Sequence, residues 1–348
     1  MKIVLIGDYP PPYGGISVHV QQLARLLAQN GADCRVIDIE RGAAPKEGAI
    51  RVNGYFEFLR RLLSFSSKGF VSHIHTNGHN FKSWLAIWVT MWAGFLFGRR
   101  NIVTVHSGLM PAYSDRGGLL TKLLIRTALI PAGKVIAVNE EIEKALLKLK
   151  VRPGKMIVLP AFALGARAGS LPERVLAWRE RFQPLITSAV YLEKEYGTEL
   201  LVEACRRLAR KYPSLGCLIM GSGSREEAIR QEIERGDLQD RIFLLGNVPH
   251  EVCLSIMEKS DLFVRPTFFD GDAISVREGL ALGVPTVASN VGHRPEGVFL
   301  FEAGDAGDLA RQIENGLRER RASRGADGRE QNLVLIQGIY EKVCRGAL

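Results

Sequence analysis

Paired cysteines are missing from this chain. Its 348 residues hold five, Cys34, Cys205, Cys217, Cys253 and Cys344, an odd number with no C-x-x-C spacing. That pattern argues against a disulfide framework or a thiolate zinc site and fits reduced thiols in a cytoplasmic protein. A membrane-spanning run is missing too. The stretch WLAIWVTMWAGFLFGRR (84–100) falls short of the ~20 apolar residues a spanning helix needs. The N-terminal MKIVLIGDYPPPYGG has too short an apolar run for a secretory leader and no small-residue cleavage site, so it reads as a strand and a loop. A third glycine is missing after Gly14-Gly15, so the G-x-G-x-x-G dinucleotide fingerprint is not met. Asp38, near the end of the second apolar run, then loses its case as the ribose ligand of an NAD site. No tandem repeat of the solenoid kind is present.

Acidic residues are the minority: 46 Lys and Arg face 37 Asp and Glu, a net charge of +9. Such a balance suits anionic company, whether nucleotides, phosphorylated lipids or an acidic membrane face. Nucleic acid is a poorer match. The basic residues cluster only at Arg60-Arg61, Arg99-Arg100, Arg206-Arg207 and 318–324, with no helix-turn-helix or RNP pattern.

What the chain has is alternation. KIVLIGD (2–8), ADCRVIDIE (32–40), VSHIHT (71–76), NIVTVH (101–106) and KVIAVN (134–139) are short apolar runs with helical patterns between them. ALGARAGSLPERV then reads as a linker. A second series follows: SAVYL, LGCLIMG, RIFLLG, DLFVRP, VPTVAS and GVFLF, again separated by helices. The expected fold is α/β, two Rossmann-like, doubly wound parallel-sheet domains facing a central cleft. Their bounds are 1–165 and 166–328, with a last helix at 329–348 packing back on the first domain. Ligands of such sheets bind beyond the carboxyl ends of the strands, so the motifs belong in the loops after strands.

Several loops qualify. Gly14-Gly15 suits either a phosphate approached by backbone at a helix start or a tight turn after three prolines. His106 ends a strand, where it is a sugar or acid–base residue or a satisfied strand-end histidine. His73, His75 and His79 suggest a metal site, and His73 and His75 share a strand face, but no carboxylate or cysteine set completes a shell around them. Trp84, Trp88 and Trp92 recur every four residues, so they share a helix face turned to the core or, beside Arg99-Arg100, to a membrane interface. Gly221 and Gly223 follow a strand and fit a nucleotide or a plain turn. In FFDGDAISVREGLALGVPTVAS (268–289), Asp270 and Glu278 stand eight positions apart. Ser275-Val276-Arg277-Glu278 fits a helix capping box, with Ser275 as the cap. The same loop equally suits a phosphorylated sugar, with carboxylates for hydroxyls and helix-start amides for phosphate.

The order of these motifs resembles the group 1 (family 4) retaining glycosyltransferases of the GT-B fold. The likeness runs through the Gly-Gly loop, TVH (104–106), GTELLVEA (197–204), GSG (221–223), FLLGNVPHEV (243–252) and the block 260–289. It implies a nucleotide diphosphate-sugar donor in the second domain and a glycan or lipid-linked glycan acceptor in the first. It further implies bacterial cell-surface polysaccharide or lipopolysaccharide assembly, with peripheral contact to an anionic membrane and no cofactor or metal. By resemblance Asp270 contacts the sugar and Glu278 the ribose, while the amides of Asp272, Ala273 and Ile274 face sugar and diphosphate. His106 meets the sugar, and Gly14, Gly15 and Gly221 pass close to the donor. One departure stands out: Tyr191 and Tyr196 occupy the positions of the family's Arg and Lys, which leaves Lys194, Arg265 or Arg277 to compensate. That departure keeps two rivals open, a catalytically weak partner protein of the same fold and a GT-B sugar-nucleotide epimerase.

Overall fold

Apolar strands that no surface can accommodate become the centres of two parallel sheets, each in its own compact unit. The computed structural model describes residues 1–40, 45–160, 171–318 and 329–346. The first unit runs β1 (Lys2–Gly7), α1 (Gly15–Gln29), β2 (Asp33–Asp38), β3 (Ile50–Arg51), α2 (Tyr55–Ser67), β4 (Val71–Thr76) and α3 (Phe81–Leu96). It continues with β5 (Ile102–Val105), α4 (Met110–Arg116), α5 (Leu119–Leu129), β6 (Lys134–Ala137), α6 (Glu140–Lys148) and β7 (Met156–Val158). Its strand order is β3-β2-β1-β4-β5-β6-β7, with every pairing parallel.

The second unit opens with α7 (Glu173–Arg181), β8 (Leu185–Ala189), α8 (Thr198–Ala209), β9 (Gly216–Met220), α9 (Glu226–Arg235) and β10 (Ile242–Gly246). It closes with α10 (His250–Lys259), β11 (Leu262–Arg265), α11 (Ile274–Ala281), β12 (Thr286–Ser289), β13 (Phe299–Phe301) and α12 (Ala306–Arg318). The order is β10-β9-β8-β11-β12-β13, again parallel throughout. In each sheet the order reverses beside the unit's first strand, at β1/β4 and at β8/β11. Those are the topological switch points, where a crevice opens beyond the strand ends.

The last helix, α13 (Arg329–Cys344), belongs with the first unit. Its Tyr340 is fully buried, with the hydroxyl 2.6 Å from His73 Nδ1, and Asn332 Nδ2 donates to the Pro160 carbonyl at 3.2 Å. The expected boundaries at 165/166 and 328 lie outside the described residues.

Three local expectations need correction. The strand expected at SAVYL lies earlier, at Leu185–Ala189, and Val190 and Leu192 are buried in the loop that follows. The expected linker contains the start of α7, whose Val175 enters the core. The three tryptophans do not share one environment, because each step of four residues turns about 40° around a helix. Trp84 is wholly buried and donates from Nε1 to the Gly78 carbonyl at 2.8 Å. Trp88 is exposed, 5.9 Å from Trp92, whose Nε1 donates to Thr127 O on α5 at 3.1 Å.

Candidate functional site

At the β8/β11 switch point the side chains form a charged cluster rather than an open carboxylate. Arg265 closes β11 and donates from Nε to Asp270 Oδ2 at 3.1 Å and from Nη1 to the Ala189 carbonyl, at the end of β8, at 3.0 Å. Arg294, in the loop after β12, donates to the same Oδ2 at 3.2 Å and to the Ser289 carbonyl at 2.9 Å. The Thr267 hydroxyl donates there as well, at 3.2 Å. Burial works to raise the Asp270 carboxyl, but Arg265 and then Arg294 hold it below the usual carboxylate range. Burial likewise works against Arg265, yet Asp270 and Tyr196 raise it; Arg294 is lowered by burial, and both stay charged at neutral pH. Two guanidinium groups against one carboxylate leave one net positive charge. Only Oδ1, with a single 3.5 Å contact to Arg265, is lightly engaged.

The cation next to the tyrosine pair is also identified. Arg265 lies 5.2 Å from the Tyr196 ring centroid, and Tyr196 meets Tyr191 edge-on at 5.6 Å. Lys194 is exposed on the turn between them. Arg277 is taken by Asp272 through Nε and Nη2 at 3.0 and 2.9 Å, a buried pair. Arg294 has no local motif, and sequence reasoning missed it.

Helix α11 follows directly. Ala273 is its N-cap and no acid lies in its first turn, so no carboxylate of the helix itself offsets the partial positive charge at its start. The capping-box reading fails. Ser275 sits inside the first turn, its hydroxyl buried without a hydrogen-bond partner. Glu278 turns inward, where His250 Nε2 meets its Oε1 at 2.6 Å.

Gly221 and Gly223 have a packing reason of their own. A Cβ on Gly221 would stand 1.8 Å from the Val190 carbonyl oxygen, and one on Gly223 2.4 Å from that of Leu192. The loop after β9 thus lies directly on the loop after β8.

The first unit's switch point carries the other expected residues. The Gly14 N–H donates to Ser17 Oγ at 2.9 Å, and a Cβ on Gly15 would meet open space, so the start of α1 is uncovered. No acid lies in its first turn. His106 follows β5, its N–H bonded to the Thr76 carbonyl and its Nε2 3.2 Å from His75 Nδ1. His19 of α1 lies 5.5 Å from His106 between ring centroids, which brings the Gly-Gly helix and His106 to one place. Asp38 is instead a structural group: Lys46 bridges it to Glu40 and to the Tyr9 carbonyl. His79 stands apart from the ring cluster, with Nδ1 3.0 Å from Ser107 Oγ.

The four rings of His19, His73, His75 and His106 are neutral. Burial pushes His19 down to about 4 and the other three well below the usual value, helped by their mutual repulsion. With Nε2 committed to His75, His106 has Nδ1 left to meet a hydroxyl. The unfolded chain takes up these protons near pH 6.5 and the folded one refuses them, so stability is full above 6.5 and falls as pH drops toward about 4. The expected slope is about 1.4 kcal/mol per pH unit for each histidine kept neutral. Urea unfolding across that window measures it, and a flat profile would contradict the buried neutral cluster. Among the described residues no group of three or more His, Cys, Asp or Glu could hold a metal ion.

Residues 13–162 match the model of glycosyltransferase family 4, and residues 179–331 that of the glycosyl transferases group 1. A phosphatidylinositol N-acetylglucosaminyltransferase subunit of Arabidopsis thaliana is 22% identical over 91% of this chain and 74% of its own length. The amylovoran biosynthesis glycosyltransferase AmsK of Erwinia amylovora is 33% identical over 41% of this chain and 39% of its own. Over the phosphatidylinositol N-acetylglucosaminyltransferase subunits the chain spans 63–74% of the relatives' length. The crystal structure of Anabaena Alr3699/HepE in complex with UDP-glucose superposes with a TM-score of 0.73, covering 99% of each chain at 16% identity.

Proposed function

Because this chain belongs to the group 1 (family 4) glycosyltransferases of the GT-B fold, we propose that it moves a sugar from a nucleotide diphosphate-sugar to an acceptor hydroxyl with retention at the anomeric carbon. The observation that carries the reading is the net-positive Arg265–Asp270–Arg294 cluster beside the α11 start, at the switch point of the second sheet. There the diphosphate meets the amides of Ala273 and Ile274, and the unspent Ser275 hydroxyl becomes a further donor to it. Arg265 takes the place of the Arg and Lys replaced by Tyr191 and Tyr196. Asp270 Oδ1 accepts from a sugar hydroxyl, and Glu278, fixed by His250, accepts from the ribose.

As the bond from the anomeric carbon to the diphosphate oxygen breaks, the acceptor oxygen bonds to that carbon on the same face. The acceptor proton passes to the departing phosphate oxygen, so no protein base is needed. The charge left on the diphosphate is met by fixed cations and helix amides already in place, which cost no reorganisation at the moment of reaction.

Acceptors borne on a lipid or a growing polysaccharide fit the activities named for the relatives. The first donors to test are UDP-glucose, which a structural neighbour binds, and UDP-N-acetylglucosamine, which carries the sugar in a relative's name. The experiment is release of nucleoside diphosphate from a panel of such donors, with and without lipid-linked acceptors, and NMR of the anomeric product.

A further inference from the structure

Strands β4 and β5 pair in parallel, with His75 opposite Thr104. Side chains two residues apart on a strand share a face, so His73 and His75 of β4 come together with Thr104 and, just past the end of β5, His106. Both nitrogens of His73 are engaged: Nδ1 lies 2.6 Å from the Tyr340 hydroxyl of α13, and Nε2 lies 2.7 Å from the Thr104 hydroxyl. His75 therefore meets His73 by ring contact, 4.0 Å between centroids. The hydrogen bond of its side chain runs to His106, Nδ1 to Nε2 at 3.2 Å. Its own Nε2 is buried without a hydrogen-bond partner, and the ring of His19 on α1 covers that side at 5.3 Å.

These contacts fix where the protons sit. Burial keeps all four imidazoles neutral, so each has one N–H and one bare nitrogen. The bond between His75 and His106 needs one N–H, and either ring can supply it. If His106 donates from Nε2, the His75 proton must reside on its Nε2, as a buried N–H with no acceptor. If His75 donates from Nδ1, the atom left over is a bare nitrogen. Protein interiors orphan an N–H more rarely than an acceptor, so the second arrangement prevails. His106 Nε2 then accepts, and the His106 proton resides on Nδ1, the nitrogen left to a ligand.

We infer that His75 is a positioning residue that fixes His106 in its Nδ1–H form, so that His106 offers the substrate a hydrogen-bond donor and not a lone pair. The ligand atom suited to it is an accepting oxygen. The same proton bars His106 from acting as a base through Nδ1, because a further proton would charge a ring that burial, His19 and His73 hold neutral. The placement of the protons is independent of the glycosyl-transfer reading; the use of His106 in turnover rests on it.

The test is long-range proton–nitrogen NMR of the full chain with ¹⁵N-labelled histidine at neutral pH, which separates protonated from bare ring nitrogens. Signals are assigned with His106→Gln. His75 and His106 are each expected to be protonated on Nδ1 and bare on Nε2. In His75→Leu, which removes the donor, His106 should carry its proton on Nε2 in a large share of the molecules. His75→Asn, whose amide N–H stands near the place of Nδ1, should return that proton to Nδ1. A bare His106 Nδ1 in the parent, or a His106 proton unmoved in His75→Leu, overturns the proposal, and the parent spectrum alone suffices should a variant not fold. With a nucleotide-sugar that the parent turns over, kcat/KM should fall about two- to fivefold in His75→Leu, as the competent tautomer becomes a fraction of the whole, and recover in His75→Asn. Equal kcat/KM in the three folded proteins would overturn the part of His106 in turnover. Turnover of no nucleotide-sugar by a parent with the expected proton positions would count against the glycosyl-transfer reading instead.

Discussion

Replacing Arg265 with alanine should reduce kcat/KM for the donor by about 10²–10³-fold, the cost of removing one fixed donor from a site where charge develops. Three contacts meet on this side chain: the Asp270 carboxylate, the Ala189 carbonyl and the face of Tyr196. Without it the cluster falls from one net positive charge to none, since Arg294 then balances Asp270 alone. Stability should fall as well, by about 3 kcal/mol, the low end for breaking a buried pair because Arg294 remains to partner the acid. Arg265→Lys keeps the charge but not the planar fork that reaches carboxylate and carbonyl together while stacking on a ring, so it should recover only part of the rate. Steady-state kinetics alongside thermal melts separate the two effects. Lower melting with an unchanged kcat/KM of the folded protein would reduce Arg265 to a structural residue.

Gly221→Ala should be the most destabilising substitution of a single methyl group, costing more than about 3 kcal/mol. Its φ of +131° is one that side chains rarely adopt, and the added Cβ would overlap the Val190 carbonyl oxygen at 1.8 Å. Relief by a shift is blocked because the Gly221 N–H is bonded to the Gly246 carbonyl at 2.8 Å, and Val190 N–H to that of Met220 at 2.9 Å. Both loops border the crevice, so donor use should fall with stability. Gly15→Ala is the matched control: open space surrounds that Cβ and the residue begins a helix, so stability should stay within about 0.5 kcal/mol. Urea midpoints report both variants. A Gly221→Ala protein as stable as its parent would mean the two loops do not pack as described.

The sheets were legible because buried parallel strands read as unbroken apolar runs, and VSHIHT matches β4 residue for residue. SAVYL misled because Val190 and Leu192 are as apolar as a strand yet serve a loop that must lie against Gly221 and Gly223. Helix α7 was hidden by its Pro- and Gly-rich approach, although RVLAWRER carries the core residue Val175. At the site, the order of motifs located the 268–289 loop, but the partners of its acids lie far along the chain. Arg294 is 24 residues from Asp270, and His250 is 28 from Glu278. No local spacing encodes such pairs: the first exists only once β11 and β12 bring their loops together, the second only once α10 packs on α11. The S-x-x-E pattern pointed to a cap because sequence does not show which face of α11 is buried.

The most direct test of the account is nucleoside diphosphate release from UDP-N-acetylglucosamine and UDP-glucose, compared between the protein and Asp270→Asn with lipid-linked acceptor present. The account predicts acceptor-dependent release with at least one nucleotide-sugar of the panel, anomeric configuration retained in the product, and a loss of about tenfold or more in the variant. Release from no nucleotide-sugar of the panel, or equal release from the protein and a folded Asp270→Asn, would contradict it.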